Sequence, residues 1–326
     1  MSIQGASLPD SERELLERAA AWPNHRALDR LSDETLERIT RDEGVDFATA
    51  LLFERFQKSS GQARFMERIN TLRRLPSADS SKIEAKLVIV PGALYLERPD
   101  LGGNGRIVRE VAATLGLESD LIPLTSFGSV EHNAKLIRNW LEEHLHERII
   151  LVSVSKGGAD LKLALSAGDA PRLFRNVVAW VNICGPLNGS RMANWILRSR
   201  SRTLFFRWKF QLQKRDFQFI TDLRHGADAP LASSVYLPAS MEMLSLIGFP
   251  MRKHMTTRFS RFCHRTLAAN GPNDGTTSLA DLQALPGKIY PVWGMDHYFR
   301  PESEARSLVS ATLRYLAENV FSRVEN

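Results

Sequence analysis

Ser155 stands in a short stretch whose residue types and spacing suit a serine nucleophile. The stretch, Ser153-Val154-Ser155-Lys156-Gly157-Gly158, follows the apolar run Ile149–Val154 and precedes a compact helical pattern. Small residues two before and two after the nucleophile are needed where a strand turns tightly into a helix, because the two elements crowd together there. Such a turn projects the serine hydroxyl above the sheet. It also aims the backbone N–H of the next residue, Lys156, at a developing oxyanion.

Two other interpretations of this stretch deserve comparison. Ser153 is the poorer nucleophile, because Ser155 occupies its plus-two position, where a glycine belongs. A Ser/Gly-rich phosphate-binding loop is the structural alternative, but the Gly-x-x-x-x-Gly-Lys pattern is absent from the stretch. The Lys156 side chain either pairs with a carboxylate such as Asp160 or senses substrate charge.

A serine nucleophile needs a base, and the base needs an orienting acid. His297 follows the apolar run Ile289–Trp293, so we expect it on a loop just beyond a strand end. The chain order Ser155, Asp274, His297 is the order that the strand-to-helix elbow motif predicts. Asp274 lies within Gly-Pro-Asn-Asp-Gly, where turn formation is its alternative role.

The other acids are weaker candidates. Asp296 adjoins His297, so its side chain would have difficulty reaching the imidazole of its neighbour. The segment from Gly185 to Arg215 contains no Asp or Glu that could act from the end of the preceding strand. Asp274 is therefore the acid that we expect.

The elements that must position these residues alternate between strands and helices. Short apolar runs predict strands at Leu87–Val90, Leu121–Leu124, Ile149–Val154, Val177–Ile183 and Ile289–Trp293. Helical spacing lies between them, as in Ile107–Leu115. Alternation of this kind favours right-handed crossovers and a mostly parallel sheet, which places its chemistry at the carboxyl ends of the strands.

Together these motifs resemble those of the α/β-hydrolase superfamily, and most of all its bacterial lipases and esterases. The resemblance covers roughly residues 85–326: Ser-Val-Ser-Lys-Gly-Gly is similar to the family's elbow, Gly-Pro-Asn-Asp-Gly to its acid loop, and Asp-His-Tyr at 296–298 to its histidine loop. It implies an α/β-hydrolase fold with about six mostly parallel strands. It also implies a catalytic triad of Ser155, Asp274 and His297 that needs no metal or cofactor.

The second oxyanion donor is less sharply defined. Pro91-Gly92-Ala93-Leu94 stands where the family's loop usually reads His-Gly. The resemblance implies that the backbone N–H of Ala93 or of Leu94 would join that of Lys156, and the choice between them stays open.

We expect two regions: a helical N-terminal extension over 1–80 and a hydrolase domain over 81–326 with a helical cap or lid inserted at about 190–270. The extension is either a helical layer on the main domain or a partner-binding module. The cap segment is basic, with 14 Lys/Arg against 4 Asp/Glu in residues 190–270. It is an ordinary cap, a surface for anionic membranes, or a docking face for an acidic protein. Nucleic-acid binding is not expected, because no recognition fold accompanies the charge.

The amino-acid composition excludes some classes of protein. The chain has 326 residues, 43% of them hydrophobic, and a formal net charge of +6. Two cysteines exclude a disulfide framework and a cysteine-rich zinc module. Without a long apolar run or an apolar signal core, a cytoplasmic location is the expectation.

The sequence thus predicts a serine hydrolase that cleaves carboxylic esters or thioesters of an apolar, small-molecule or lipid acyl group. The alternatives are an acyltransferase that uses the same triad and a non-catalytic scaffold that binds an acidic partner or an anionic membrane.

Overall fold

The computed structural model describes residues 8–25, 27–76 and 83–321. The expected boundary between residues 80 and 81 lies outside these ranges. In the described residues, six strands form one sheet: β1 (Lys86–Val90), β2 (Ser119–Leu121), β3 (Ile149–Val154), β4 (Val177–Ile183), β5 (Glu242–Phe249) and β6 (Lys288–Trp293). Their order across the sheet is β2-β1-β3-β4-β5-β6 and the strands are parallel, which confirms the predicted fold class.

Register places the ends of the central strands side by side. Ile89 of β1 pairs with Leu121 of β2 and with Val152 of β3. Val154, the last residue of β3, pairs with Ile183, the last residue of β4. The carboxyl ends of β3 and β4 are therefore level, and a residue that follows β3 emerges at this edge of the sheet.

The strands form where apolar, β-branched residues run together. Every residue of β1 except the first is buried, and so is every residue of β3 except the last. This is expected for parallel strands covered on both faces. The strand β5 was not predicted from the sequence, and it lies inside the segment assigned to a cap. Its residues Met243 and Leu244, both buried, are strand residues.

Helices connect and cover the strands. They are α1 (Asp10–Ala21), α2 (Asp33–Glu43), α3 (Val45–Gln57), α4 (Ser60–Arg74), α5 (Arg106–Thr114), α6 (Val130–Glu143), α7 (Lys156–Leu165), α8 (Ala170–Leu173), α9 (Arg191–Leu197), α10 (Arg200–Leu212), α11 (Gln218–Asp222), α12 (Arg258–Leu267) and α13 (Glu302–Leu316). No helix in the described ranges is long and apolar enough to span a bilayer.

The chain divides into two compact units. The first unit comprises the described parts of Met1–Ser80 together with Leu246–Tyr315, and the second unit those of Ser81–Ser245 together with Leu316–Asn326. The N-terminal helices thus belong to the same unit as β6 and the loop that carries His297.

The core of the first unit is built around α3. Every residue from Phe47 to Phe56 is buried, which is the pattern of a helix enclosed on all sides. Phe53 lies edge-on to Phe249 of β5, with ring centroids 5.8 Å apart, and 5.2 Å from Trp293 at the end of β6. Because α3 packs on these strand ends, the N-terminal helices α1–α4, which we call the N-terminal layer, support the loop that follows β6.

Candidate functional site

Ser155 sits between β3 and α7 in a backbone conformation that few residues adopt. Its φ of 50° and ψ of −124° are strained for a residue with a side chain. The strain is sustained by fixed neighbours: the Ser155 N–H donates to the Ile183 carbonyl at 2.9 Å, and the Gly158 N–H donates to the Ser155 carbonyl at 2.9 Å. The chain therefore reverses at Ser155 from strand to helix, as an elbow requires.

Two glycines allow this turn because their neighbours approach too closely for any side chain. A methyl group at Gly157 would lie 2.2 Å from the Val90 carbonyl oxygen. At Gly92, a methyl group would lie 2.8 Å from the Val154 carbonyl oxygen and 3.1 Å from Cβ of Ser155. The loop after β1 and the elbow after β3 are thus in direct backbone contact.

The candidate oxyanion donors lie on the two segments in this contact: Lys156 on the elbow, and Ala93 and Leu94 on the loop after β1. Lys156 is the first residue of α7, so its N–H belongs to the unpaired donors at a helix N-terminus. Ala93 and Leu94 follow Gly92, whose N–H donates to the Gly103 carbonyl at 2.9 Å. Leu94 has a φ of 64°, a second strained non-glycine position in the same unit.

The Lys156 side chain turns inward and forms a buried ion pair. Its Nζ donates to both carboxylate oxygens of Asp160, at 2.6 and 2.7 Å, which confirms that partner. Asn133 of α6 donates to the same carboxylate at 2.9 Å. Burial raises the pKa of Asp160, while the charge and hydrogen bonds of Lys156 and the Asn133 amide oppose that rise. The ion pair lies within the first turns of α7, and the Asn133 hydrogen bond ties it to α6.

In the first unit, Asp274 and His297 are brought together through both backbone and side chain. Nδ1 of His297 lies 2.8 Å from Oδ2 of Asp274, and the His297 N–H donates to the Asp274 carbonyl at 2.8 Å. A carboxylate only accepts hydrogen bonds, so Nδ1 carries the proton and the neutral ring presents its lone pair at Nε2. This is the tautomer that a general base needs.

The Asp274 carboxylate is itself held by its own turn. Its Oδ1 accepts from the N–H groups of Thr276 and Thr277, at 2.9 and 2.7 Å, which leaves Oδ2 for the imidazole. The turn interpretation and the acid interpretation of Asp274 are therefore compatible, because one carboxylate oxygen closes the turn while the other accepts from the imidazole.

Electrostatics at His297 combine two opposing effects. Burial lowers the pKa of the imidazole, but the charge and hydrogen bond of Asp274, with a contribution from Asp296, outweigh it and raise the pKa above its ordinary value. The protonated ring that would form on accepting a proton is thus stabilised by its carboxylate neighbours.

Asp296 has a separate task that the sequence did not reveal. It is fully buried. Its Oδ2 accepts from the N–H and hydroxyl of Thr256, at 2.8 and 2.7 Å, and its Oδ1 accepts from the Tyr298 N–H at 3.0 Å. This carboxylate anchors the histidine loop to the segment before α12. An aspartate adjacent to a loop histidine was the available signal, but adjacency alone does not identify its partners.

Glu12 of α1 is a second support that sequence analysis missed. It is buried, accepts from Nε1 of Trp293 at 2.8 Å, lies 3.1 Å from Nε2 of His254 and pairs with Lys253 at 2.7 Å. Hydrogen bonds from Lys253, Trp293 and His254 lower the pKa of Glu12 even though burial, the largest single effect, raises it. The N-terminal layer therefore fixes the end of β6, four residues before His297.

Comparisons with known proteins identify the fold. No protein-family model matches the chain, and no curated protein matches its sequence. The structure is similar to the metagenomic carboxyl esterase MGS0156, with a TM-score of 0.57 and 22% identity over 74% of this chain and 77% of that one. It is also similar to the propeptide form of lipase BlEst2 from Bacillus licheniformis, with a TM-score of 0.51 and 18% identity over 73% of this chain and 50% of that one. At such identities these likenesses show the α/β-hydrolase fold.

Proposed function

We propose that this protein is a serine hydrolase that cleaves carboxylic esters or thioesters of an apolar acyl group through an acyl-enzyme on Ser155. The observation that carries the proposal is the strained backbone of Ser155, with φ 50° and ψ −124°, at the turn from β3 to α7. Strain of this kind persists where the surroundings enforce it, and it concentrates at functional sites.

In the proposed reaction the Ser155 hydroxyl attacks the acyl carbonyl while Nε2 of His297 accepts its proton. Asp274 keeps the proton on Nδ1 and stabilises the imidazolium. The negative charge that develops on the carbonyl oxygen is met by the N–H of Lys156 and by that of Ala93 or Leu94. Collapse of the tetrahedral intermediate expels the alcohol or thiol, which takes the proton from His297. Water then enters by the same steps in reverse and releases the acid.

An aromatic cluster supports an apolar acyl group as substrate. Nζ of Lys156 lies 5.6 Å from the ring centroid of Phe219. Phe219 in turn lies 5.4 Å from Phe127 and 6.1 Å from Phe210. Phe127 and Phe219 are only partly buried, so in the same unit as Ser155 they offer apolar surface beside the side chain of the residue that follows the proposed nucleophile.

The test is an ester panel of graded acyl length, run with the parent protein, Ser155→Ala and Ser153→Ala. Ser153 is the control because it is a buried serine two residues away, and its hydroxyl accepts from Nε1 of Trp180 at 2.8 Å. We expect turnover by the parent, a loss of about 10⁶-fold in Ser155→Ala, and turnover within about tenfold of the parent in Ser153→Ala once its folding is verified by circular dichroism.

Turnover that survives in a folded Ser155→Ala protein would refute the proposed nucleophile. Adding an alcohol or an amine to the same assay shows whether water or another acceptor receives the acyl group. Free acid as the main product supports hydrolysis, whereas acylated alcohol or amine as the main product would make the protein an acyltransferase.

A further inference from the structure

Helix α10 presents an apolar face to solvent. The described residues include nine exposed large hydrophobic side chains, and four of them lie on this helix. We call them the exposed stripe: Leu204 (67% exposed), Phe205 (55%), Trp208 (58%) and Leu212 (65%). Exposed apolar side chains this large, gathered on one element, mark an interaction surface.

The stripe is continuous because its residues share one side of the helix. With about 3.6 residues per turn, the four side chains span an arc of about 100°. The opposite side of α10 is fixed to the second unit, since Phe210 is buried in a cluster with Ile196 of α9 and Ile220 of α11. The helix is therefore held with the exposed stripe directed outward.

Basic side chains border the exposed stripe on both sides. By helical geometry, Arg202 and Lys209 lie along one border, and Arg200 and Arg207 along the other. The guanidinium of Arg202 lies 4.1 Å from the ring centroid of Trp195, and that of Arg207 lies 5.1 Å from the ring centroid of Phe217. From Gly185 to Arg215 the sequence contains eight Lys/Arg and no Asp or Glu. The surface thus combines an apolar centre with positive margins.

We propose that the exposed stripe and its basic borders dock this protein onto an anionic lipid bilayer, with α10 lying in the plane of the interface. A convex helix with apolar side chains outward and arginine and lysine beside them suits a bilayer, where rings and leucines enter the acyl boundary and cations meet anionic headgroups. Long basic side chains keep their charge at headgroup level while their stems cover apolar surface.

An acidic protein is the competing occupant, and the exposed stripe argues against it. A protein partner would have to offer a shaped apolar groove together with carboxylates, whereas an anionic bilayer supplies an acyl layer and negative headgroups to four large apolar side chains that stand out from a helix. The docking does not depend on the reaction proposed for Ser155, so binding and turnover can be tested separately.

The experiment measures co-sedimentation of the full chain with vesicles of phosphatidylcholine alone and of phosphatidylcholine mixed with phosphatidylglycerol. We expect binding to the anionic vesicles that weakens with added salt, and weak binding to the neutral ones. Phe205→Ser/Trp208→Ser should weaken anionic binding at least tenfold. Arg200→Gln/Arg207→Gln/Lys209→Gln should weaken it about 10²-fold, at about fivefold for each charge.

Two controls separate docking from other effects. Tyr236 is 73% exposed but lies outside α10, so Tyr236→Ser should bind vesicles as the parent does. Ser155→Ala should also bind as the parent does, which distinguishes failure of docking from failure of the proposed reaction.

The proposal is overturned if anionic vesicles do not bind the parent, or if Phe205→Ser/Trp208→Ser binds them as tightly as the parent. It is also overturned if the parent binds neutral and anionic vesicles equally. Sedimentation velocity tests a further alternative. If the parent self-associates and Phe205→Ser/Trp208→Ser does not, the surface binds a second copy of the chain and the bilayer proposal is overturned.

Discussion

Ser155 and His297 each follow the end of a strand, but the two regions that hold them are built differently. At the elbow, position is set by backbone contact: Gly92 and Gly157 admit the chain where no side chain fits, and Lys156 with Asp160 closes the structure beneath. At the histidine loop, position is set by hydrogen bonds that the carboxylates of Asp274 and Asp296 accept from His297 and Thr256, together with one backbone bond from His297 to Asp274. Backbone contacts fix the position of Ser155, the proposed nucleophile, whereas the carboxylates around His297, the proposed base, also raise the pKa of its imidazole.

The largest effect on stability is expected from breaking the ion pair beneath the elbow. Lys156→Met leaves the buried Asp160 carboxylate without its cation, which should lower the free energy of unfolding by about 3–5 kcal/mol. Lys156→Met/Asp160→Asn should recover most of the loss, because no charge then stays buried unpaired. Urea unfolding measures both.

Arg106→Met supplies the matched control for that prediction. Arg106 and Glu110 have the same four-residue spacing on α5, but their side chains are 38% and 41% exposed. We expect a change of no more than about 0.5 kcal/mol from this substitution. Equal losses at the two pairs would show that burial does not distinguish them and would remove the charge support assigned to the elbow.

Adding a single methyl group tests the backbone side of the comparison. Gly157→Ala would place Cβ 2.2 Å from the Val90 carbonyl oxygen, so the strand and helix must separate. We expect a loss of about 1–3 kcal/mol in stability and at least about 10²-fold in turnover, since a small misplacement of reacting groups has that effect. Gly168→Ala, where a methyl group meets nothing within 4 Å, should leave stability and turnover near those of the parent. Unchanged turnover in Gly157→Ala would contradict the elbow geometry.

The pH dependence of turnover sharpens the histidine side of the comparison. The proposed mechanism uses the neutral imidazole of His297 as the base, and the pKa of that ring is raised, so kcat/KM should increase with pH through a value above the ordinary 6.5. In Asp274→Asn, burial remains but the carboxylate charge is lost, so the surviving activity should titrate at lower pH. For the same reason, stability conferred by His297 should be present below pH 6.5 and be lost as pH rises through the raised pKa. A pH profile of kcat/KM that is the same in Asp274→Asn as in the parent would contradict the pairing of Asp274 with His297.

How far the sequence could predict this molecule depends on how local each feature is. The strands β1, β3, β4 and β6 were predicted because a run of consecutive apolar residues is a local signal. β5 was missed because it lies in a segment whose charge and aromatics suggested a cap, and its Gly248 interrupts the apolar run. A methyl group at Gly248 would lie 2.4 Å from the Met295 carbonyl oxygen, a close approach that only the folded chain reveals.

The same distinction between local and long-range features applies to the candidate site. The elbow residues and the Asp274–His297 pair follow motifs of a few neighbouring residues, so their types and spacing point to them. Glu12 and Asn133 act on partners far away in sequence, Trp293 and Asp160 respectively, and no local pattern marks a residue for such a role. The exposed stripe on α10 is intermediate: its composition was visible, but which side faced solvent was decided by packing of Phe210.

Covalent labelling of Ser155 tests most directly the central claim that this serine is a nucleophile activated by His297. The parent, Ser155→Ala and His297→Gln proteins are treated with a fluorophosphonate, and the modified residue is located by mass spectrometry. The account predicts one adduct on Ser155, no such adduct in Ser155→Ala, and labelling at least about 10²-fold slower in His297→Gln, because the hydroxyl is a weak nucleophile without its base. An adduct on another residue, or equal labelling rates in the parent and His297→Gln, would contradict it.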